Sequence, residues 1–183
     1  MSNALIAPVT LTPYDPKWPG VFEAERNSIV RAIGKHITSI EHIGSTSIPG
    51  MLAKPEIDIL IGVTKIENVS LWIKKLEELG YPYYHRFEEI EPQRRYFRKS
   101  DGIIPLIHVH VYEETDKKYT ERIVFRDYLR THPEVAADYI KHKEMIIEKL
   151  GNDRPTYSDA KSIFVVDTMK KIYSVRESHR RKI

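Results

Sequence analysis

Residues His42 to Val63 read HIGSTSIPGMLAKPEIDILIGV, and their order decides the fold. A short run with β character, Ile37 to Ile43, stops at Gly44-Ser45. Ten residues rich in turn formers follow, and Glu56-Ile57-Asp58 then opens a second strand. From Ile57 to Val63 that strand is apolar apart from Asp58, as suits a central strand covered on both faces. Alternation puts Glu56 and Asp58 on one face and turns Ile57 to the other. Two carboxylates so close repel, and a divalent cation between them offsets that repulsion. Gly44 lets the backbone approach a ligand closely, while Ser45, Thr46 and Ser47 offer hydroxyl and amide donors to phosphate oxygens. Lys54 adds a point charge nearby. The stretch predicts a loop that handles a phosphate together with a metal ion.

Working outward, Asp15-Pro16 predicts a helix start, with Phe22, Ile29, Val30 and Ile33 at helical spacing and Gly34 as the stop. After the acidic strand, Val69, Trp72, Ile73, Leu76 and Leu79 fall on one face of a helix that ends at Gly80. Tyr81–Phe87, Gln93–Lys99 and Ile104–Tyr112 predict three further strands, with a turn at Ser100-Asp101-Gly102. The rest predicts helices. One runs from Thr115 to Arg130, and Thr131 with Glu134 resembles a capping box for a second that ends at Gly151. Thr156 with Asp159 opens a third, whose apolar stripe is Ile163, Val166, Met169, Ile172 and Tyr173. Phe125, Tyr128, Leu129 and Tyr139, at helical spacing, predict core packing. This order predicts an α/β (α+β) fold: a small mixed β-sheet, flanking helices and a helical carboxyl-terminal third. A single domain is expected over residues 1–183, with a solvated, mobile basic tail from about Arg176.

Composition narrows the function. The 183 residues, 41% of them hydrophobic, suffice for a sizeable core. With no cysteine, disulfides, thiolate catalysis and cysteine-based zinc sites are excluded. A formal charge of +3 is too mild to point to nucleic acid as a partner. The sequence opens without a secretory signal pattern and no apolar run approaches a membrane span, so a cytoplasmic location and no membrane partner are expected.

His108 and His110 lie two apart on a predicted strand, so their rings share one side. They could hold a transition metal, take a ligand position beside Asp58, orient phosphate or serve as general base. The plainer alternative is a pair of half-buried polar residues satisfied by neighbours. Arg94 and Arg95 alternate in direction, so at most one faces the same cleft as the histidines. Arg95 is the one assigned to phosphate.

The segment HIGSTSIPGMLAKPEIDIL resembles the signature of the GrpB family, a branch of the nucleotidyltransferase-fold superfamily. The likeness continues through PYDPKWPGVFEAE, RRYF at Arg94–Phe97, LIHVHV at Leu106–Val111, FRDYLRTHPEVAADY at Phe125–Tyr139 and YSDAKSIFV at Tyr157–Val165. It spans about residues 9 to 170 and implies a nucleotidyltransferase-like sheet. The superfamily pattern is Gly-Ser, two acids one residue apart, and a third acid on a neighbouring strand. Gly44, Ser45, Glu56 and Asp58 match the first two parts, whereas the strand at Leu106–Tyr112 carries His108 and His110 in place of the acid. The resemblance implies that many relatives carry an apolar residue at the position of Glu56, which makes Asp58 the principal acid. If a histidine replaces the third acid, its ring has to lie within about 5 Å of Asp58.

The implied activity is transfer of a nucleotidyl group from a nucleoside triphosphate to a small-molecule acceptor, with magnesium or another divalent cation. Asp58, Glu56 and His110 would be catalytic, and Glu56, Asp58, His108 and His110 the metal ligands. Gly44, Ser45, Thr46, Ser47, Lys54, Arg95 and Lys161 would bind the nucleotide, Lys161 lying in the stretch that resembles the family's Ala-Lys motif. A family version fused to dephospho-CoA kinase implies a link to coenzyme A biosynthesis. Two alternatives stand beside the transferase: a nucleotide- or ligand-binding module that has lost catalysis, and a metal-dependent hydrolase built on the His-x-His strand.

Overall fold

The computed structural model describes residues 8–100, 102 and 105–180, with the side chains of 176–180 outside that description. The chain forms two compact units, one of Thr12–Arg126 and one of Asp127 onward together with the segment up to Leu11.

The Thr12–Arg126 unit is built on a four-stranded mixed sheet. Helix α1 (Trp18–Ile33) leads to β1 (Ser39–Ile43), a tight turn over Ser45–Ser47 and then β2 (Glu56–Val63). A 3-10 turn (Ile66–Leu71) runs into α2 (Ile73–Glu78), followed by α3 (Arg86–Ile90), β3 (Arg95–Lys99) and β4 (Leu106–Glu113). Helix α4 (Lys117–Thr131) comes next, and the boundary between the units falls within it. The strand order is β1-β2-β4-β3. β2 is antiparallel to β1 and parallel to β4, while β3 is antiparallel to β4. In this register Asp58 has Ile43 on one side and His108 on the other.

Alternation separates the two faces of the sheet. Ile57, Ile59, Ile61, Ile107, Val109, Val111 and Phe97 join Phe22, Ile29 and Ile33 of α1 and Trp72 and Leu76 in one apolar core. Each such side chain contributes about 1.5–3 kcal/mol when fully buried. On the other face Ile43, Leu60 and Tyr112 pack with Tyr119 and Ile123 of α4. Glu56 and Asp58 of β2 and His108 and His110 of β4 share that second face.

Several elements differ from the sequence expectation. Tyr81–Phe87 is not a strand: Tyr83 makes one isolated bridge to Phe97, and the chain turns into α3 at Arg86. Pro82 has no amide to give a ladder, and Tyr81 is wholly buried as a core anchor. The α1 helix begins at Trp18, after Asp15 has accepted the Lys17 amide at 2.9 Å. The expected helix over Val69–Leu79 is split into the 3-10 turn and α2. The Thr131–Glu134 capping box does not form, because the Thr131 hydroxyl bonds back to the Asp127 and Tyr128 carbonyls at the end of α4. Pro133 opens α5 (Pro133–Leu150) instead. Helix α6 (Arg154–Arg180) is capped not by Thr156 but by Asp153, whose Oδ2 accepts the Thr156 amide at 3.0 Å and its hydroxyl at 2.8 Å.

In the second unit α5 and α6 pack with Val9 against Ile146 and Tyr157, and the Tyr139 and Phe164 rings stack at 4.9 Å. Of the stripe expected on α6, Met169 and Ile172 are buried while Ile163 and Val166 are exposed. The backbone of the tail is helical through Arg180; its side chains from Arg176 lie outside the described residues.

Lys143 is the unusual core residue of this unit. It is 1% exposed, with Nζ 4.7 Å from the centre of the Tyr139 ring. Burial, and then the like charge of Lys161, pushes its pKa down to about 7, against a smaller pull from Glu144. In the unfolded chain the amine keeps its proton to about pH 10.4. Between those values the unfolded state binds more protons, so stability rises with pH; below the folded value the buried charge is fully destabilising. Lys143→Met is therefore expected to raise the Tm at neutral pH and to flatten the rise in stability between about pH 7 and pH 10. Urea melts of both proteins across that range check it, and parallel pH profiles would refute it.

Candidate functional site

The loop after β1 is shaped by one backbone constraint. Gly44 has φ 72° and ψ −176°, a conformation essentially confined to glycine. A Cβ there would lie 2.3 Å from Oδ2 of Asp58, so backbone and carboxylate are in direct apposition. The Ser47 hydroxyl donates to the Gly44 carbonyl at 2.7 Å, and the Thr46 hydroxyl donates to the Glu56 carbonyl at 2.9 Å. His42 reaches the same Thr46 oxygen at 3.2 Å while its ring stacks on Phe22 at 4.8 Å. Of the hydroxyls expected to face phosphate, that of Thr46 thus braces the loop against β2 and that of Ser47 braces the turn itself. Ser45 is half-buried at the turn.

Beyond the loop, the acids and histidines form two pairs. His108 Nε2 lies 3.4 Å from Glu56 Oε2, and His110 Nε2 lies 3.4 Å from Asp58 Oδ1. Both rings share the carboxylate side of the sheet, and His110 meets the distance that a substitute for a third acid requires. Tyr96, from β3, is hydrogen-bonded to His108 Nδ1, and its ring lies 5.4 Å from that of His110. Burial holds the Tyr96 phenol above its ordinary range, with Asp58 and Glu56 adding to it and Arg98 and Arg94 opposing. Burial also pushes His110 down to about 4, despite the pull of Asp58, so its imidazole is neutral at pH 7.

Lys54, read from sequence as a phosphate ligand, sits 2.9 Å from Glu56 Oε2. The repulsion between the two acids is relieved by this ammonium. Arg95 pairs in register with Val111, on the core side of the sheet, and its guanidinium is bound to Glu88 at 3.2 Å and the Pro92 carbonyl at 2.7 Å. It is Arg94, whose guanidinium carbon lies 5.4 Å from the Tyr96 ring, that faces the histidines. Lys161 belongs to α6 in the other unit, where its charge acts on Lys143. Tyr96, Arg98 and Arg122 are polar-face residues that the sequence reading missed. Strand alternation from Arg94 could have found Tyr96 and Arg98, but Arg122 comes from α4 and has no local signal.

Among the described residues no three His, Asp or Glu side chains converge as a metal cage. The expected ligand set of Glu56, Asp58, His108 and His110 is resolved into its two pairs, and the cage of His108, His110 and Asp58 that a transition-metal hydrolase needs is not formed. A hard divalent ion demands less, since one or two carboxylates and the phosphates of a ligand suffice. Asp58, with 32% of its side chain exposed beside the Gly44 backbone, fits that role. Glu56, 10% exposed and bound to Lys54, does not.

The apposition of Gly44 and Asp58 is open to a direct test. Gly44→Ala forces a Cβ against the carboxylate in a backbone conformation that costs about 1–3 kcal/mol for other residues. The expected outcome is an unfolding free energy lower by at least that amount, read as a lower urea midpoint, with loss of any metal dependence that Asp58 carries. An unchanged midpoint would refute the close packing.

No helix of the described residues is long and apolar enough to cross a membrane. In comparisons with known proteins, the family described as GrpB protein matches residues 8–171. The chain is 34% identical to the UPF0157 protein BH1888 of Halalkalibacterium halodurans, over 90% of this chain and 83% of that one. It is 25% identical to a dephospho-CoA kinase of Mycolicibacterium paratuberculosis, spanning 94% of this chain but 48% of the kinase. Among solved structures, the conserved protein GrpB from Enterococcus faecalis superposes with a TM-score of 0.76 at 32% identity, covering 90% of this chain and 99% of that one. A cytoplasmic RNA terminal U-transferase superposes more loosely, with a TM-score of 0.49 at 9% identity over 75% of this chain and 43% of that one. Matched along nearly all its length by sequence, and by structure to a solved relative, the chain belongs to the GrpB family.

Proposed function

We propose that the Gly44 loop and Asp58 form the nucleotide site of a nucleotidyltransferase-type enzyme. The single observation that carries this reading is the contact between the Gly44 backbone and the Asp58 carboxylate, which makes one place suited to phosphate and to a cation at once. The nucleoside triphosphate would arrive with magnesium or a similar ion, held by Asp58 and by the ligand's own phosphates; that ion supplies charge neutralisation. Ser45 and the loop backbone would position the β- and γ-phosphates. His110, neutral and 3.4 Å from Asp58 Oδ1, would keep that carboxylate oriented. An acceptor oxygen or nitrogen attacks the α-phosphorus and pyrophosphate leaves. Positioning and charge complementarity carry such chemistry, so no nucleophilic side chain is needed. The likeness to part of a dephospho-CoA kinase supports an acceptor connected with coenzyme A chemistry.

A second reading, a module that binds the nucleotide without turning it over, is favoured by the ion pair of Lys54 with Glu56, which leaves one accessible acid where a transferase commonly uses more. Pyrophosphate release with candidate acceptors separates the two.

Thermal shifts with each of the four common nucleoside triphosphates, with magnesium and with both together test the site itself. A ligand at 100 times its Kd adds about 2.7 kcal/mol of stability. Nucleotide and metal together are expected to shift the Tm by more than the sum of their separate effects. Asp58→Ala should remove that excess and keep the fold, whereas Glu56→Ala should be milder because Lys54 already occupies Glu56. Additive shifts for all four nucleotides would sink the proposal.

A further inference from the structure

On the β4–β3 side of Asp58 the polar face carries more guanidinium than its carboxylates balance. Arg94 Nη1 lies 3.1 Å from Glu91 Oε2, and the same carboxylate takes Lys118 Nζ at 2.7 Å and the Tyr112 hydroxyl at 2.8 Å. Arg122, from α4, donates from Nη2 to the Tyr112 hydroxyl at 2.9 Å and lies over that ring at 5.3 Å. It makes no ion pair among the described residues. Arg98, 5% exposed and in register with His108, rests over the Tyr84 ring at 5.2 Å, again without a carboxylate among the described residues. The Nε atoms of Arg94 and Arg122 and Nδ1 of His110 are buried with no hydrogen-bond partner. Buried donors are nearly always satisfied, so two unmatched guanidinium donors on one patch point to an acceptor from outside the chain. Both arginines also act electrostatically on His110, lowering its pKa.

We infer that Arg94 and Arg122, beside His110, form an anion subsite that takes the phosphate group of a phosphate-bearing acceptor. The planar guanidinium fork suits a bidentate grip on a phosphate, and Arg is the residue whose charge persists when partly buried. The assignment to the acceptor rests on the nucleotide reading above. The Gly44 loop reaches Asp58 from the β1 side, through the Ile43–Asp58 pairing, and His110, Tyr96 and Arg94 stand on the β4–β3 side. Attack at the α-phosphorus requires the incoming and leaving groups on opposite sides. A triphosphate held by the β1-side loop therefore leaves the arginine side to the acceptor.

Titration of the full chain with inorganic phosphate, followed by calorimetry in the absence of divalent metal, tests the subsite. Saturable binding is expected, weakened at least about tenfold in Arg122→Gln and less in Arg122→Lys, which keeps the charge but loses the fork. Arg95→Gln, on the other face, should bind as the parent does, and acetate should bind more weakly than phosphate. Far-UV circular dichroism and the urea midpoint establish that each variant is folded, with Arg94→Gln as the second variant should Arg122→Gln fail to fold. Phosphate affinity unchanged in the folded Arg122→Gln or Arg94→Gln protein would overturn the subsite. With saturating magnesium and ATP, retention of phosphate binding supports an acceptor site, while competitive loss overturns it and gives these arginines to the nucleotide's own phosphates. If the nucleotide does not bind at all but phosphate binding still depends on Arg122, the anion subsite stands and the nucleotide reading fails.

Discussion

The parallel pairing of β2 with β4, in the one register that sets Asp58 opposite His108, is the constraint on which the polar face depends. Ile57, Ile59 and Ile61 fix that register from the other side. A slip of one residue would carry all three onto the polar face and drive Asp58 and Glu56 into the apolar core. Each isoleucine is worth about 1.5–3 kcal/mol buried, and an unpaired carboxylate costs several more in an apolar interior. The apolar face thus dictates where the acids stand, and the chemistry of the second face follows from hydrophobic burial on the first.

Charge on that face is arranged in short, separate groups. Lys54, Glu56 and His108 form one group, with Tyr96 closing it at Nδ1. Asp58 and the neutral His110 form another, and Glu91 with Arg94, Lys118 and Tyr112 a third. In the third, burial alone would raise the Glu91 carboxyl, but hydrogen bonds from Lys118 and Tyr112 and the charge of Arg94 hold it below the usual range. The outcome is that Asp58, 32% exposed, keeps more solvent contact than Glu56 or Glu91, at 10% and 11%, while Glu41 at the β1 rim is held by Arg126. That asymmetry leaves Asp58 the more accessible of the two acids of β2.

Much of this was readable from the chain because it rests on local pattern. The run from Ile57 to Val63 announces a buried central strand, and the Gly-Ser turn before it needs no tertiary information. Likewise the alternation of His108 with His110 settles their shared side. What could not be read depends on partners distant in sequence. Lys54 looks like a phosphate ligand until the fold sets it on Glu56. Alternation says that Arg94 and Arg95 diverge, yet the pairing of Arg95 with Val111 is what decides which one meets the histidines. The aromatics of Tyr81–Phe87 supply β propensity, but tertiary packing of Tyr81 and the missing amide of Pro82 override it. Helix caps failed for a related reason, since a threonine hydroxyl at a helix end can serve the helix behind it as readily as the one ahead.

Both rims of the sheet are short, five-residue strands. Such rims are where sheets from separate molecules add to one another, and proteins guard them with brevity, charge and cover. On the β3 rim the backbone of Pro82 and Tyr84 already exchanges hydrogen bonds with Arg98 and Tyr96, at 3.3 and 3.0 Å, and Arg95 and Lys99 lie along it. The segment that fell short of being a strand acts as a partial cover: long enough to occupy exposed amides and carbonyls, too short to present a new templating edge of its own. This rim is thereby protected against strand addition from a neighbouring molecule, and loosening Pro82–Tyr84 would open a route to self-association while drawing Tyr83 off the Phe97 ring.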